Sequence, residues 1–462
     1  MMNSYDSAFL VLISACGLLT WQQYHKKNET SPDEKALTQL NAVTPRAKAE
    51  ASQFTRLFLA VYSLVMASDW LQGPYVYSLY KDQFGLQERI VGLLFVTGFL
   101  SGAISGYFVG QFADKHGRRT ACLIFCVTYS VSCFSTLVPS LPVLFFGRVF
   151  GGLSTSVMYS AFESWMVTEF HKRRIDQAGT SLSSMFGIMT TLNSIVAILS
   201  GVFSEWLVEV THTKRAPFMA SAGLLTIAFW IIWAYWSENY GDSHDVDPNP
   251  ANLTPQLPPA QSILKTIITD KRILTLGLAS CFFEGSMYLF VFFWTPALKA
   301  ASNASTLSLP LGMIFASFMA SVMLGSLLFN LLISKYQLLS PSRLLTIIFA
   351  MASSSLLTPL LTRNECLTFW SFCVFELCVG MYWPSVGYLK GRFVEDGVRA
   401  RVYGMLRIPL NVFVVVALGV MREGEAYRNA VFLKREDRTL SVDGGVEKAG
   451  LSPVMELGAK SA

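Results

Sequence analysis

The sequence predicts an all-α polytopic membrane protein: two six-helix halves behind one extra N-terminal helix, with the last core helix apparently missing. Three observations predict it. Of 462 residues, 52% are hydrophobic and 15% charged, with a mean hydropathy of +0.43. That is too apolar for a soluble chain of this size. Twelve apolar runs are each long enough to cross a bilayer. Lys and Arg concentrate in alternate loops between them.

The first run, 5–24, has Asp6 at its start and no basic flank before it. Trp21-Gln-Gln-Tyr24 stands where a signal peptide would carry a small-residue cleavage site. It reads as an uncleaved helix, and domain 1–56 pairs it with a polar loop that tethers it. Runs at 57–80, 90–112, 120–138, 141–166, 178–207 and 216–236 form the first half, 57–236. Residues 237–271 are rich in Pro, Asn and Asp and read as a linker. Runs at 272–298, 309–334, 341–361, 366–388 and 402–421 belong to the second half, 272–433. Its final helix begins at 428–433 but is broken by Lys434-Arg-Glu-Asp-Arg438, and the tail 434–462 is polar. The loops after runs 1, 3, 5, 7, 9 and 11 hold 21 Lys and Arg, against six in the opposite loops. This bias puts the richer loops in the cytoplasm and the N-terminus outside or in a lumen.

The stretch Leu141 to Arg174 organises the chain. It carries Arg148 and Glu163 inside a helix studded with Gly151, Gly152, Ser154 and Ser156. Charges at membrane depth face a bundle interior or a water-filled path, and small residues let a neighbouring helix come close. The plainer reading makes Arg148 a structural ion-pair partner. The halves also look like weak repeats. Asp69 and Glu284 each fall 12 residues into the first helix of a half, about 18 Å deep. Arg148 and Glu376 each precede a glycine by four residues, Gly152 and Gly380. Duplicated halves with midplane sites are the architecture of secondary transporters.

Other classes find no support. Eight cysteines are scattered through apolar runs, and there are five histidines with no metal-ligand spacing, so no metal or cofactor is expected. No Walker-type glycine loop or catalytic constellation occurs, which argues against ATP-driven transport and against an enzyme. The net charge of +5 is explained by topology, not by nucleic acid.

One loop is specific. Gly110-Gln-Phe-Ala-Asp114-Lys115-His-Gly117-Arg118-Arg119 resembles the signature of the major facilitator superfamily. Gly117 suits a tight turn, Asp114 can cap a helix or pair with a base, and the basic residues hold the loop at the inner surface. The resemblance implies a conformational role, holding the two halves in one state. Further stretches narrow it: Asp69-Trp70-Leu71-Gln72-Gly-Pro74-Tyr75, Gly147-Arg148-Val-Phe-Gly-Gly152, Phe283-Glu284-Gly-Ser286, Gly380-Met-Tyr-Trp-Pro384-Ser385 and Arg407-Ile-Pro409. Together they are similar to the eukaryotic molybdate-anion transporter family, from about residue 5 to 430. That resemblance implies uptake of the tetrahedral oxyanion molybdate, and the plasma membrane is the expected location. The broken final helix departs from the family's pattern.

An apolar bundle holds a dianion only with countercharge and hydrogen-bond donors. Arg148 and Arg407 are the arginines well inside helices, and Gln72, Asn193 and Trp383 can complete the shell. Asp69, Glu163, Glu284 and Glu376 would repel the anion unless neutral or paired, so they are expected to bind protons or to neutralise the arginines. A structural ion pair is the competing reading for each. Two competing functions remain: a proton-coupled carrier of sugar, peptide or drug, and a non-transporting receptor or scaffold. Inward arginines favour an anion over the first, and costly intramembrane charges argue against the second.

Overall fold

The computed structural model describes residues 4–27, 45–178, 181–241, 269–302, 309–335, 340–362, 364–393 and 399–419. Within them are twelve long helices and, among the described residues, no strand. In order they are α1 Ser4–Lys27, α2 Pro45–Trp70, α3 Glu88–His116, α4 Arg118–Ser135, α5 Leu141–Lys172 and α6 Leu182–Thr211. There follow α7 Ala216–Tyr235, α8 Lys271–Ala301, α9 Leu311–Phe329, α10 Pro341–Leu361, α11 Glu365–Phe393 and α12 Arg399–Gly419. Every predicted span has its helix. Nine of the described helices are long and apolar enough to cross a membrane. The protein is therefore an integral, multi-pass membrane protein. The stretch from 420 onward, where the final helix was expected to break off, lies outside the described residues.

Two boundaries differ from the sequence reading. Helix α2 starts at Pro45, not at 57. Its first three turns are too polar for a hydropathy window but favour helix: Arg46 pairs with Glu50 at 3.0 Å, one turn on. Phe54 is buried there and stacks on Trp165 at 6.2 Å. At its other end α2 stops at Trp70, where Gly73 and Pro74 break it into turns before helix resumes at 76–83. The linker is also shorter than expected, because 237–241 pack back onto the first half, as described below.

Glycines set the helix crossings. A Cβ on Gly152 of α5 would sit 2.2 Å from the Gly98 carbonyl of α3, so only hydrogen fits. Hydroxyls lace the same seam: Ser101 donates to the Val149 carbonyl at 2.6 Å, and Ser156 to that of Gly102 at 2.7 Å. In the second half, a Cβ on Gly380 of α11 would sit 2.0 Å from the Val322 carbonyl of α9. Pro384 has no N–H to give the Gly380 carbonyl, and Ser326 of α9 donates to it instead, at 3.1 Å. Gly152 and Gly380 thus do the same work in the two halves.

Helix α1 packs on α9 of the second half, although the chain continues from it into the first. The Cys16 thiol points at the Ala320 carbonyl (3.4 Å), Gln23 donates to the Leu327 carbonyl (3.1 Å), and the Tyr5 hydroxyl bonds Glu365.

The halves meet along α6–α9 and α3–α12. Directed contacts between them gather at the end that carries the lightly charged loops. There Lys299 pairs with Asp82 at 2.5 Å. Phe292 takes Tyr77 and Phe95 edge-on at 5.2 and 5.1 Å.

Candidate functional site

The signature loop lies at the opposite, basic end, between α3 and α4. Gly117 has φ +104°, a left-handed conformation that suits glycine, and a Cβ there would strike the Glu238 carboxylate at 2.4 Å. Arg118 forks onto Asp114, at 3.0 and 2.8 Å. It also reaches the Ser164 carbonyl at 3.3 Å and the Thr168 hydroxyl, both on α5. Glu238 accepts from the N–H groups of Arg119 and Thr120, at 2.8 and 3.1 Å, and so caps α4. Arg119 reaches the Trp233 carbonyl at 2.7 Å, and Asn239 donates to that of Trp165 at 3.2 Å. Trp165 and Trp236 stack at 3.6 Å beneath this strap. These contacts of Asp114, Gly117, Arg118 and Arg119 all stay within the first half. Gly110 has open space around it. Lys115 stands on the exposed side of α3.

Arg148 is half-buried on α5. Its Nε donates to the Leu94 carbonyl at 3.3 Å, and its guanidinium lies 5.3 Å over the Phe95 ring. It is close enough to Asp69, Tyr80 and Tyr129 to act on them electrostatically. No carboxylate lies within 4 Å of it among the described residues. Asp69 sits at the break in α2 and accepts the Tyr129 hydroxyl at 2.5 Å. Phe95 touches Phe292 of the other half, so this group lies under the seam between halves.

The neighbouring polar groups are partly engaged. Gln72, buried, donates to the Ser68 carbonyl at 2.9 Å. Asn193 accepts the Trp70 indole N–H through Oδ1 at 2.9 Å, which leaves its NH2 group as a donor. Down α5 from Arg148, residues Thr155, Tyr159 and Glu163 follow at helical spacing, and all three are exposed. Tyr159 lies within electrostatic reach of Asp69 and Tyr62 on α2 and of Tyr288 on α8, so this stripe runs between the halves. Glu163 makes no ion pair among the described residues.

The second-half acids differ from one another. Glu284, 4% exposed, accepts the Tyr382 hydroxyl at 2.8 Å and has Lys390 at 3.7 Å. Glu376, 6% exposed, has no hydrogen-bond donor and no ion pair among the described residues. Trp383 is 43% exposed and lies on the same face of α11 as Glu376, seven residues away. Nothing described bonds Glu376 or Trp383 to the Arg148 group. Arg407 lies on α12, and its side chain is outside what is described.

Three acids here carry weight that the sequence reading missed. Glu238 was placed in the linker and is a cap. Glu205 of α6 accepts from the Tyr75 hydroxyl at 2.7 Å and from the Gly312 N–H of the other half at 2.5 Å. Asp82 takes Lys214 and Lys299 at 2.8 and 2.5 Å. Partial burial works to raise the Asp82 carboxyl, but the two ammonium groups outweigh it and hold it below the usual carboxylate range. An acid at the end of an apolar run is the signal all three share.

Residues 34–371 match a family model described as sugar transporters with twelve transmembrane segments. The molybdate-anion transporter of Takifugu rubripes is 30% identical over 441 residues, covering 90% of this chain and 87% of the relative. That of Danio rerio is 33% identical over 436 residues, covering 89% and 86%. A solved point mutant of the nucleoside transporter NupG superposes with a TM-score of 0.64 at 14% identity, covering 82% of this chain and 95% of the other. That last likeness speaks to fold alone. The fold, the matched signature and relatives alike over nearly their whole length agree: the chain belongs to the molybdate-anion transporter family of the major facilitator superfamily.

Proposed function

We propose that the protein is a secondary transporter that carries molybdate, or a similar small oxyanion, across the plasma membrane by alternating access. The observation that carries this reading is Arg148. Its guanidinium is held inside the bundle, at the seam between halves, with no carboxylate within ion-pair distance among the described residues. A half-buried cation with no ion-pair partner is costly inside a bundle, and an anionic ligand removes that cost. Its planar fork suits two oxygens of a tetrahedral oxyanion. The NH2 group of Asn193 and the indole of Trp383 are the neutral donors nearest in kind, with Gln72 in support. The relatives' name supplies the identity of the anion, and the lining supports its sign.

The basic end is the cytoplasmic one, by the loop-charge asymmetry. The contacts between halves then close the outer side, and the stripe Thr155, Tyr159 and Glu163 faces a path toward the cytoplasm. Glu376 is the proton-binding residue of the cycle. A buried carboxylate with no donor is strongly disfavoured, whereas a neutral carboxyl is tolerated there. Glu284 is held by Tyr382 and Lys390 and is the more structural of the pair.

The test is molybdenum accumulation in cells expressing the chain, with sulfate and with glucose as competitors. Saturable uptake that sulfate weakens and glucose does not is expected. Uptake no greater than in control cells would refute the reading, and glucose transport would redirect it.

A further inference from the structure

The start of α9 lacks something that helices usually provide for themselves. Its N-cap is Pro310, which has no side-chain acceptor. The first N–H groups of a helix have no partner within it. One of them, on Gly312, is satisfied by Glu205 of α6, in the other half, at 2.5 Å. The same carboxylate oxygen, Oε2, accepts the Tyr75 hydroxyl at 2.7 Å. Tyr75 is buried in the broken stretch after α2. One oxygen therefore joins three segments across the boundary between halves.

The setting makes this contact directional. One turn before Glu205, Gly201 lies against α9, where a Cβ would sit 2.8 Å from the Gly312 carbonyl. A Cβ on Gly312 would sit 2.4 Å from the Gly201 carbonyl in return. The two backbones touch, and such contact resists separation only weakly. The charged bond at the helix start is stronger, because the helix dipole favours an anion there. Just inward of it, Phe315 packs on Trp70 at 6.0 Å and against Gly73. The pair Asp82–Lys299 lies at the exposed rim.

We propose that Glu205 is a gating residue of the transport cycle. It caps α9 from the opposite half, this cap holds the outer side closed, and its release is a step of outward opening. The proposal rests on the transporter reading above and adds the residue that times the outer gate. Breaking a bond to a charged group shifts the balance between closed and open by about tenfold or more.

Glu205→Ala removes the acceptor, Glu205→Gln keeps its shape without charge, and Tyr75→Phe drops one of the two bonds. Each is placed in a chain carrying Cys366→Ser, since Cys366 is the exposed native cysteine. Phe315→Cys supplies a reporter thiol one turn inside the latch. Intact cells are treated with a membrane-impermeant maleimide. Labelling should run about tenfold faster with Glu205→Ala than with Glu205 intact, and less so with Glu205→Gln and Tyr75→Phe. In the same variants without the reporter, the half-saturating molybdate concentration and the maximal rate should both fall. More of the protein then waits outward-open, so apparent affinity rises while closure slows. A purely structural role would lower surface protein and maximal rate together and leave half-saturation and labelling alone. Labelling no faster with Glu205→Ala than with the parent would overturn the latch. If the parent takes up no molybdate, the transport reading fails, while the labelling comparison still decides the latch.

Discussion

Removing Arg148 tests the anion site, provided that loss of fold is separated from loss of ligand. Arg148→Ala gives up one part-buried backbone bond at 3.3 Å and a cation–π contact at 5.3 Å. Those cost about 1 kcal/mol and about 0.5–2 kcal/mol. The larger loss is electrostatic. Asp69, half-buried, keeps the Tyr129 hydroxyl but loses the favourable field of a guanidinium that lies beyond ion-pair distance, and a charge stranded inside a bundle is costly. That can prevent folding, so Arg148→Ala alone leaves scaffold and ligand roles entangled. Adding Asp69→Asn removes the stranded charge and keeps an oxygen for Tyr129. The double variant should reach the surface at the parental level. It should nonetheless fail to take up molybdate, because each charge-assisted bond to a dianion is worth about 1.5–3 kcal/mol, or about 10–150-fold in half-saturation. Arg148→Lys keeps the charge without the fork, so half-saturation should rise about tenfold with surface level unchanged. The assay is cellular molybdenum normalised to biotinylated surface protein. Parental uptake by the double variant at parental surface level would remove Arg148 from the site and leave Arg407 as the next arginine to examine.

Other expectations follow from particular contacts. Gly152→Ala and Gly380→Ala should each lower the melting temperature of detergent-purified protein by several degrees, since each Cβ meets a backbone carbonyl near 2 Å and overpacking costs about 1–3 kcal/mol. Gly223→Ala, with nothing within 4 Å, should leave it unchanged. Glu376→Gln should abolish molybdate-driven proton movement in dye-loaded vesicles and leave the protein folded, whereas Glu284→Gln should chiefly destabilise it, as melting will show. Asp82 has a depressed carboxyl, so its stabilising contact is complete above the unfolded value near pH ~4 and fades as pH falls through the lower folded value. Melting between pH 5 and 8 should therefore show no Asp82-dependent slope, and Asp82→Asn should lower stability equally across that range.

What the sequence disclosed was burial and spacing. Twelve helices were legible because continuous apolar runs mark them, nine of them apolar enough to cross a membrane, and Gly152 was legible as a site of close approach, with Gly380 as its counterpart by spacing. The misses have physical causes. The Gly73-Pro74 break was read through because apolar residues continue on both sides, and hydropathy ignores backbone conformation. The first turns of α2 look like loop by hydropathy because helix formation there rests on packing by Phe54 and on Ala-rich propensity. Gln72 was legible as a candidate donor inside the bundle, but its engagement with the Ser68 carbonyl was not. Glu205 and Glu238 act on backbone N–H groups of distant helix starts. Such partners leave no trace in side-chain identity, so no pairing of charges along the chain could have found them.

The two halves repeat their scaffolding and diverge in charge, and the divergence bears on coupling. Glycine at 152 and at 380 solves one packing problem twice. Four residues earlier stands a cation in one half and an acid in the other. A dianion held by Arg148 would be repelled by a charged Glu376 and not by a protonated one. On the proposed roles, anion and proton would favour each other's binding, and the linkage would be reciprocal: whatever factor the proton adds to anion affinity, the anion would add to proton affinity. A symmetric pair of arginines would bind the anion more tightly but would carry no such coupling. An asymmetric pair would give up some affinity and gain a second ion's gradient as a source of work, which would suit uptake of an anion against an inside-negative potential.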